Sequence, residues 1–273
     1  MSQIKRLIDL KDYHNMNTNF EVKENGVAII TLGRPKVFNS FNSEMAQEVQ
    51  SLLEKCHEES HIRAVVLTGE GRAFCAGQDL QEIIAPDGPP LSKILTDNYN
   101  PIVRQIRQLQ KPVIALVNGV AAGAGANLAL ACDIVIAAKS ASFIQAFSKI
   151  GLIPDSGGTY FLPRLIGFQK ASALMMLADK ISAEEAERLG MIYKFFEDEV
   201  FMEEGMKIAN QLAAMPTQAL WLTKKALNES MSNTLSAQLV LEDKLQTQAG
   251  ETSDYKEGVN AFLEKRPAIF EGK

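Results

Sequence analysis

The sequence predicts an α/β fold, in which a parallel sheet is covered by helices on both faces and is followed by a helical segment. Apolar runs such as IRAVVLTG, PVIALV and DIVIAA alternate with segments of helical period. Strands that are apolar throughout and separated by helices are typical of a buried parallel sheet. From about residue 198 onward the chain has helical period alone, interrupted at Met215-Pro216 and Gly250.

The first half of the chain contains a hairpin, two helices and a long loop. FEVKENGVAIITL predicts a hairpin around Asn25-Gly26, because this dipeptide suits a tight turn between two strands. RPKVFNSFN is a loop, and Ser43 is the predicted N-cap of the amphipathic helix SEMAQEVQSLLEKCHEE. GRAFCAGQDLQEI is predicted to be a loop that turns into a short helix. Residues 85–91 form a further loop, and a helix spans about 92–109.

The second half begins with the glycine-rich stretch NGVAAGAGANLALACD, which is predicted to lead from a strand into a helix. KASALMMLA and SAEEAERLG follow as helices, and MIYKFF as one last short strand. We therefore divide the chain into an N-terminal extension (1–17), an α/β core (18–200) and a C-terminal helical region (201–273).

The composition excludes several classes of protein. The chain has 273 residues, of which 46% are hydrophobic, and this is enough for a sizeable core. A net charge of −5 and a pI of about 5.4 give no basic footprint for nucleic acid. With no apolar run of membrane-spanning length and no secretory leader, we expect no membrane segment. Three widely spaced cysteines, Cys56, Cys75 and Cys132, indicate reduced thiols and a cytoplasmic location.

Two glycine-containing turns follow predicted parallel strands: AFCAGQDL and NGVAAGAGANL. Ligands of parallel sheets bind beyond the carboxyl ends of the strands, and two such turns could direct two backbone N–H groups at one oxygen. A dinucleotide loop fits less well, because Leu128 stands where G-x-G-x-x-G needs its third glycine. Close packing between helix and strand remains an alternative reason for the small residues.

From about residue 19 onward the chain resembles the crotonase (enoyl-CoA hydratase/isomerase) superfamily. The order and spacing match in GVAIITLGRPKVFNSFN, AVVLTGEGRAFCAGQDL, KPVIALVNGVAAGAGANLALACDIVIAA, FSKIGLIPDSGGTYFLPRLIG and SAEEAERLGMI. The resemblance implies a crotonase (ClpP/crotonase-like) fold of repeated ββα units with a C-terminal helical segment. It also implies homotrimers or dimers of trimers assembled through residues 201–273, and an acyl-CoA substrate with no cofactor beyond its CoA moiety.

The resemblance implies an oxyanion hole for a thioester enolate, made by the backbone N–H groups of Ala76 and Ala124. Small residues suit a close approach between backbone and ligand. Where hydratases of the family carry two glutamates, this chain has Asn127 and Phe147. Neither side chain can accept a proton, so ordinary water addition is disfavoured.

A different carboxylate, Asp155, occurs in GLIPDSGGT. By resemblance this is the acid/base position of isomerases, where hydratases have glycine. Ile150, Leu152 and Ile153 nearby are apolar, and burial among them would raise the pKa of Asp155 by desolvation. An aspartate before SGGT can also cap a helix that begins near Ser156, and this alternative remains open.

The likeness is greatest to the isomerases of phenylacetate degradation, which convert a ring-1,2-epoxyphenylacetyl-CoA to its oxepin and can shift a double bond. We therefore expect an acyl-CoA isomerase that moves a proton or double bond on an enolate-stabilised CoA thioester. An enoyl-CoA hydratase and a non-catalytic acyl-CoA-binding homologue are the alternatives.

The remaining predicted site residues follow from family position. Contacts with the substrate and its CoA moiety are expected from Lys36, Val37, Phe38, Ala76, Gln78, Asp79, Leu80, Gly123, Ala124, Asn127, Phe147 and Pro154. Asn127 is expected to orient the substrate, and Phe262 and Lys265 are candidates for contact with CoA from a neighbouring subunit. No metal site is predicted, because His57 and His61 have helical spacing but no HExxH motif.

Overall fold

The computed structural model describes residues 12–14 and 17–273, and within them the strands form two sheets. The large sheet contains, in spatial order, β1 (Asp12–His14), β2 (Thr18–Val22), β3 (Val27–Leu32), β4 (Ala64–Gly69), β6 (Val113–Val117), β8 (Ile134–Ala138) and β11 (Lys194–Phe196). The small sheet contains β10 (Lys180–Ser182), β9 (Ser142–Ile144), β7 (Val120–Ala122) and β5 (Ala73–Cys75). Residues 1–11, 15 and 16 of the predicted N-terminal extension lie outside the described residues. Asp12–His14 within it pairs with β2.

The two sheets are linked by repeated passages of the chain. Strands β4, β6 and β8 are parallel neighbours in the large sheet, and each is followed by a strand, β5, β7 or β9, of the small sheet. Strands β5, β7 and β9 are themselves parallel neighbours. This ββα repetition confirms the fold class. The sequence predicts loops and turns at β5 and β7, and it gives no prediction for β9.

The core lies around β4, β6 and β8, whose side chains are almost all buried. Continuous apolar strands need cover on both faces. On one side, α1 (Ser43–Glu58) buries Met45, Val49, Leu52 and Cys56, which share one helical face. Its N-cap is Asn42, whose side chain accepts a hydrogen bond from the Met45 amide at 2.9 Å, so the prediction of Ser43 was wrong.

The predicted helix at 92–109 is three consecutive pieces. They are α3 (Leu91–Lys93), a π-helical segment (Ile94–Tyr99) and α4 (Asn100–Gln108). A short helix, α2 (Leu80–Ile84), precedes them, and α5 (Ala124–Ala131) follows β7. Segments of π-helix are rare and occur often at functional sites.

Helices make up most of the rest of the chain, apart from β10 and β11. They are α6 (Gly158–Ile166), α7 (Phe168–Leu177), α8 (Ala183–Arg188), α9 (Asp198–Ala214), α10 (Thr217–Ser230), α11 (Leu235–Gly250) and α12 (Ser253–Glu264). The predicted interruptions at Met215-Pro216 and Gly250 fall where α9 and α11 end. Helix α9 crosses the predicted boundary at residue 200, and its Gly205 lies so close to Leu116 of β6 that a Cβ there would be 2.6 Å from a Leu116 methyl carbon. No helix in the described part of the chain is long and apolar enough to cross a membrane.

Candidate active site

A cavity of about 670 Å³ lies between the turn after β5, the segment from α3 to α4, the start of α5 and the segment before α6. Its walls are mainly apolar. Eight of the predicted site residues line it: Ala76, Gln78, Leu80, Gly123, Ala124, Phe147, Pro154 and Asp155. The two glycine-containing turns and the candidate carboxylate thus meet in one place, as the sequence analysis expected.

The start of α5 places a backbone donor on the cavity wall. Gly123 has a φ of 53° and occupies the N-cap position, so Ala124 is the first residue of the helix. The first amides of a helix have no partner within it, and the helix dipole adds positive potential there. In the described chain no acceptor is found for the Ala124 amide. This amide can therefore donate to an anionic oxygen.

The turn after β5 contains the second predicted donor, Ala76, but its amide is already engaged. It donates to the Phe38 carbonyl at 3.0 Å. The backbone amide of Gln78, two residues further on, has different surroundings. Phe41 exchanges hydrogen bonds with the Gly77 carbonyl and the Asp79 amide, both at 2.8 Å. Because successive residues of an extended chain turn their amides to opposite sides, the Gln78 amide faces away from Phe41.

The amide of Gln78 is the better placed second donor. It has no acceptor among the described residues, and Gln78 lines the cavity. A Cβ on the preceding residue, Gly77, would be 3.5 Å from the Ala124 nitrogen, so the two turns are in close contact. The donor pair that the geometry supports is therefore Gln78 and Ala124, whereas Ala76 would have to break its bond to Phe38.

Asp155 supplies the carboxylate of the cavity. Its side chain is half-buried and accepts a hydrogen bond from the Ser156 hydroxyl at 2.8 Å. Burial raises the pKa of Asp155 above its ordinary value, and the bond from Ser156 offsets part of that rise. Helix α6 starts only at Gly158, has Gly157 at its N-cap position, and has no side-chain cap. The alternative that Asp155 is a helix cap is therefore wrong.

Ser156 has a strained backbone that the sequence analysis did not foresee. Its φ of 51° lies in the left-handed region, which costs a non-glycine residue about 1 kcal/mol. The residue is buried, so its hydroxyl is held against the Asp155 carboxylate. Strain that persists next to a candidate catalytic group is typical of active sites.

Asn127 does not reach the cavity, contrary to the expected role in orienting the substrate. Its side chain is fully buried. Its Nδ2 donates to the Asp155 carbonyl at 2.9 Å, and its Oδ1 accepts from Gln145 at 2.7 Å. A Cβ on Gly158 would be 2.6 Å from the Asn127 Cγ, so the glycine gives the amide its space. Asn127 therefore braces the turn that presents Asp155.

Four further predicted contacts lie outside the cavity lining. Lys36, Val37 and Phe38 are exposed on the loop whose Phe38 carbonyl meets Ala76, so the loop adjoins the cavity wall. Asp79 caps α2 by accepting a hydrogen bond from the Gln81 amide, and its other carboxylate oxygen lies 2.8 Å from the Arg34 guanidinium. Both carboxylate oxygens of Asp79 are therefore engaged within the protein. Contact of these four residues with CoA stays a prediction.

Other candidate residues have ordinary surroundings. Phe262 and Lys265 do not line this cavity in the protomer, and their contact with CoA from a neighbouring subunit stays a prediction. His57 and His61 are exposed on the surface. The described residues contain no cluster of three or more side chains suited to a metal ion.

Tyr99, which the sequence does not indicate as a site residue, lines the cavity from the end of the π-helical segment. Its ring is 1% exposed, and its hydroxyl has no hydrogen-bond partner among the described residues. From sequence alone, an aromatic residue in a helical pattern is interpreted as part of the hydrophobic core. The neighbouring proline in DNYNP marks the start of α4 but gives no sign of the hydroxyl's position.

Residues 22–273 match the family model for enoyl-CoA hydratase/isomerase. The chain is 49% identical over 253 residues to 1,2-epoxyphenylacetyl-CoA isomerase of Escherichia coli, covering 92% of this chain and 97% of the relative. It is 48% identical over 261 residues to a "probable enoyl-CoA hydratase" of Rhodobacter capsulatus, covering 96% and 99%. Among solved structures, an enoyl-CoA hydratase from Bacillus anthracis matches with a TM-score of 0.88 and 34% identity, covering 94% of this chain and all of that one.

Proposed function

This chain belongs to the enoyl-CoA hydratase/isomerase family of enzymes, and we propose that it is an acyl-CoA isomerase. The observation that carries the proposal is one carboxylate, Asp155, in an apolar cavity beside two unengaged backbone amides. The positions that resemble those of the hydratase glutamates hold a buried Asn127, whose amide nitrogen and oxygen both have partners in the protein, and an apolar Phe147. The cavity thus has a group that moves a proton, but at those two positions it has no carboxylate to activate water.

The proposed hole consists of the Gln78 and Ala124 amides. Both donors would bind the thioester oxygen of an acyl-CoA and strengthen their bonds as that oxygen becomes an enolate. Because they are fixed by the backbone before the charge develops, no reorganisation is needed in the transition state. Loss of one such donor costs about 3–4 kcal/mol of barrier.

Asp155 is the proposed base and acid. Its carboxylate takes a proton from the carbon next to the thioester, and the electron pair of that C–H bond flows into the carbonyl to give the enolate oxygen. The protonated Asp155 then returns the proton to another carbon, the enolate collapses, and the double bond has moved. For a ring epoxide, Asp155 would take the proton from the same carbon next to the thioester, and the hole would accept the enolate charge. The carbon–carbon bond that carries the epoxide oxygen breaks as the ring expands to the oxepin, and Asp155 returns the proton to a ring carbon.

The environment of Asp155 suits this task. Burial raises its pKa and so makes its carboxylate a stronger base. The Ser156 hydroxyl fixes one carboxylate oxygen, and Asn127 fixes the carbonyl of the same residue. Together they hold the carboxylate in one orientation, which matters because small errors in placement slow proton transfer strongly.

An enoyl-CoA hydratase is the second candidate, favoured by the 48% identity to the Rhodobacter capsulatus relative of that printed name. A non-catalytic acyl-CoA-binding protein is a weaker third candidate, because a binder has no need for a desolvated carboxylate in its cavity. Both alternatives would bind acyl-CoA in the same cavity as the isomerase. They differ from the isomerase in the role of Asp155.

We also propose a homotrimer or a dimer of trimers in which the C-terminal helices meet a neighbouring copy. On α11, Leu235 and Val240 are 76% and 72% exposed, which leaves apolar surface uncovered in the single chain. Light scattering during gel filtration would give the mass directly. A monomer would contradict this part of the proposal. A cytoplasmic location stays a prediction.

Parallel assays test the reaction. Wild-type protein would be offered 3-enoyl-, 2-enoyl-, dienoyl- and ring-epoxide CoA esters, and both isomerisation and hydration would be followed. We expect isomerisation to exceed hydration, and Asp155→Asn to lower it by about 100-fold or more. Asp179→Asn, at an exposed aspartate, is the matched control and should retain activity. Hydration that outruns isomerisation, or an Asp155→Asn protein with full turnover, would contradict the proposal.

A further inference from the structure

Two residues that line the cavity carry buried polar atoms that the proposed reaction does not use. Five buried side-chain oxygens among the described residues lack a hydrogen-bond partner, and two of them, the Tyr99 hydroxyl and the Gln78 Oε1, belong to residues that line this cavity. The Gln78 amide group is oriented by its Nε2, which donates to Glu82 at 2.8 Å. Buried polar groups normally have a partner, because an unpaired one costs free energy.

The Tyr99 hydroxyl is not needed for packing. The ring lies against Phe41, with centroids 5.7 Å apart and planes tilted by 44°. A phenylalanine would make the same contact. Buried tyrosine hydroxyls usually find a partner, so an orphaned one in a ligand-sized cavity points to a partner outside the protein.

The backbone holds Tyr99 firmly at this wall. Tyr99 is the last residue of the π-helical segment Ile94–Tyr99, in which it is buried together with Ile94 and Asn98. The Gln50 side chain of α1 donates to the carbonyls of Asp97 and Asn98, and Asn98 donates to the Ser43 hydroxyl. The segment is thus tied to α1 on its far side. The protein itself therefore fixes the position of Tyr99.

The charges around Tyr99 define what it can bind. Burial raises the pKa of its hydroxyl well above the ordinary value, and the nearby acidic groups Cys75, Asp155, Glu82 and Asp79 raise it further. The hydroxyl therefore stays protonated and donates. Its acceptor is a neutral oxygen, because a second anion would be repelled by the nearby carboxylates.

We infer that Tyr99 is a specificity residue that donates a hydrogen bond to an oxygen on the acyl group itself, separate from the thioester oxygen. The cavity would then select oxygen-bearing acyl groups, such as an epoxide, a ring ether or a hydroxyl, over plain hydrocarbon chains. A site that hydrogen-bonds a substrate oxygen discriminates against analogues that lack it, because its own polar group is otherwise left unpaired. The inference rests on the proposed binding of acyl-CoA esters and adds the class of acyl group.

Binding of unreactive ligands tests this without relying on turnover. Phenylacetyl-CoA and its ortho-, meta- and para-hydroxy derivatives would be titrated calorimetrically into the wild-type protein and into Tyr99→Phe. We expect at least one hydroxy derivative to bind the wild type about fivefold more tightly than phenylacetyl-CoA. In Tyr99→Phe that ratio should fall to about one.

Ser142→Ala is the matched control. The Ser142 hydroxyl is also buried and unpartnered, but Ser142 does not line the cavity, so the ratio should stay at its wild-type value. Three results would overturn the inference: no hydroxy derivative binds more tightly than phenylacetyl-CoA, the advantage survives in Tyr99→Phe, or Tyr99→Phe weakens all four ligands equally. If none of the CoA esters binds the wild type, the proposed acyl-CoA function fails as well. Binding of phenylacetyl-CoA without a hydroxyl advantage removes the inference alone.

Discussion

Replacement of Asn127 with alanine tests whether this residue braces the Asp155 turn. The substitution removes two hydrogen bonds, from Asn127 Nδ2 to the Asp155 carbonyl at 2.9 Å and from Gln145 to Asn127 Oδ1 at 2.7 Å. It also leaves the Gln145 amide, which is buried and has an unpartnered Oε1 already, without a partner among the described residues. The Asp155 carbonyl keeps one bond, from the Gly158 amide at 2.8 Å.

The expected loss of stability follows from these contacts. Two neutral hydrogen bonds contribute about 2 kcal/mol, and an orphaned buried amide costs about 1–3 kcal/mol more. The free energy of unfolding should therefore fall by about 3–5 kcal/mol. For a chain of this size, Tm should fall by roughly 10 °C. Thermal melts followed by circular dichroism would measure the shift.

Activity should fall as well, because the carboxylate loses part of its support. We expect kcat to fall by about 10- to 100-fold with little change in KM, since the turn that presents the base shifts while the cavity walls remain. The readout is steady-state isomerase kinetics at a temperature at which the variant is folded.

A matched control separates this buried amide from a surface one. Asn210→Ala removes an exposed amide that also makes a side-chain hydrogen bond, from Asn25 at 2.8 Å, and should change the unfolding free energy by less than about 0.5 kcal/mol. An Asn127→Ala protein that melts and turns over like the wild type would refute the bracing role.

Three further predictions concern the donors, the carboxylate and a thiol. An amide-to-ester change at Gln78 should lower kcat by about 100-fold. The same change at Ala76, whose amide donates to the Phe38 carbonyl, should lower kcat by less than about tenfold. The reverse order would show that Ala76, and not Gln78, is the second donor of the oxyanion hole. Because burial raises the pKa of Asp155, the folded protein favours the neutral carboxyl group, and this stability is lost as pH rises through the raised pKa. Asp155→Asn should therefore have a higher Tm than the wild type at about pH 7, and the difference should shrink toward about pH 4. An equal Tm at about pH 7 would be inconsistent with desolvation of Asp155. Burial raises the pKa of the Cys75 thiol to about 12, so iodoacetamide should leave it unlabelled in the native protein by mass spectrometry, and rapid labelling would show that it is accessible.

Long, strongly patterned elements could be predicted from the sequence. The β2–β3 hairpin, α1 and the buried strands β4, β6 and β8 combine a clear period with turn or cap residues, and all of them are found. The short strands β5, β7 and β9 could not be predicted, because three residues are too few to show a period. They exist because each finds a neighbour far away in the chain, and a sequence pattern does not record such pairing.

The candidate site, like the fold, has features that the sequence predicts and features that only the packed structure reveals. The meeting of Gly123, Ala124 and Asp155 at one cavity could be predicted from the sequence, because the family resemblance gives their positions. The proposed donor at Gln78 could not be predicted, because the direction of a backbone amide depends on which neighbour the adjacent residues bind. The partnerless state of the Tyr99 hydroxyl is likewise a property of the packed structure.

Exchange of solvent deuterium into phenylacetyl-CoA tests most directly whether Asp155 moves a proton against a stabilised enolate. This thioester can form an enolate but has no double bond to relocate, so exchange at the carbon next to the thioester isolates the proposed step. NMR in D₂O should show rapid exchange with the wild type and an exchange rate about 100-fold lower with Asp155→Asn. Equal exchange rates for the two proteins would contradict the account.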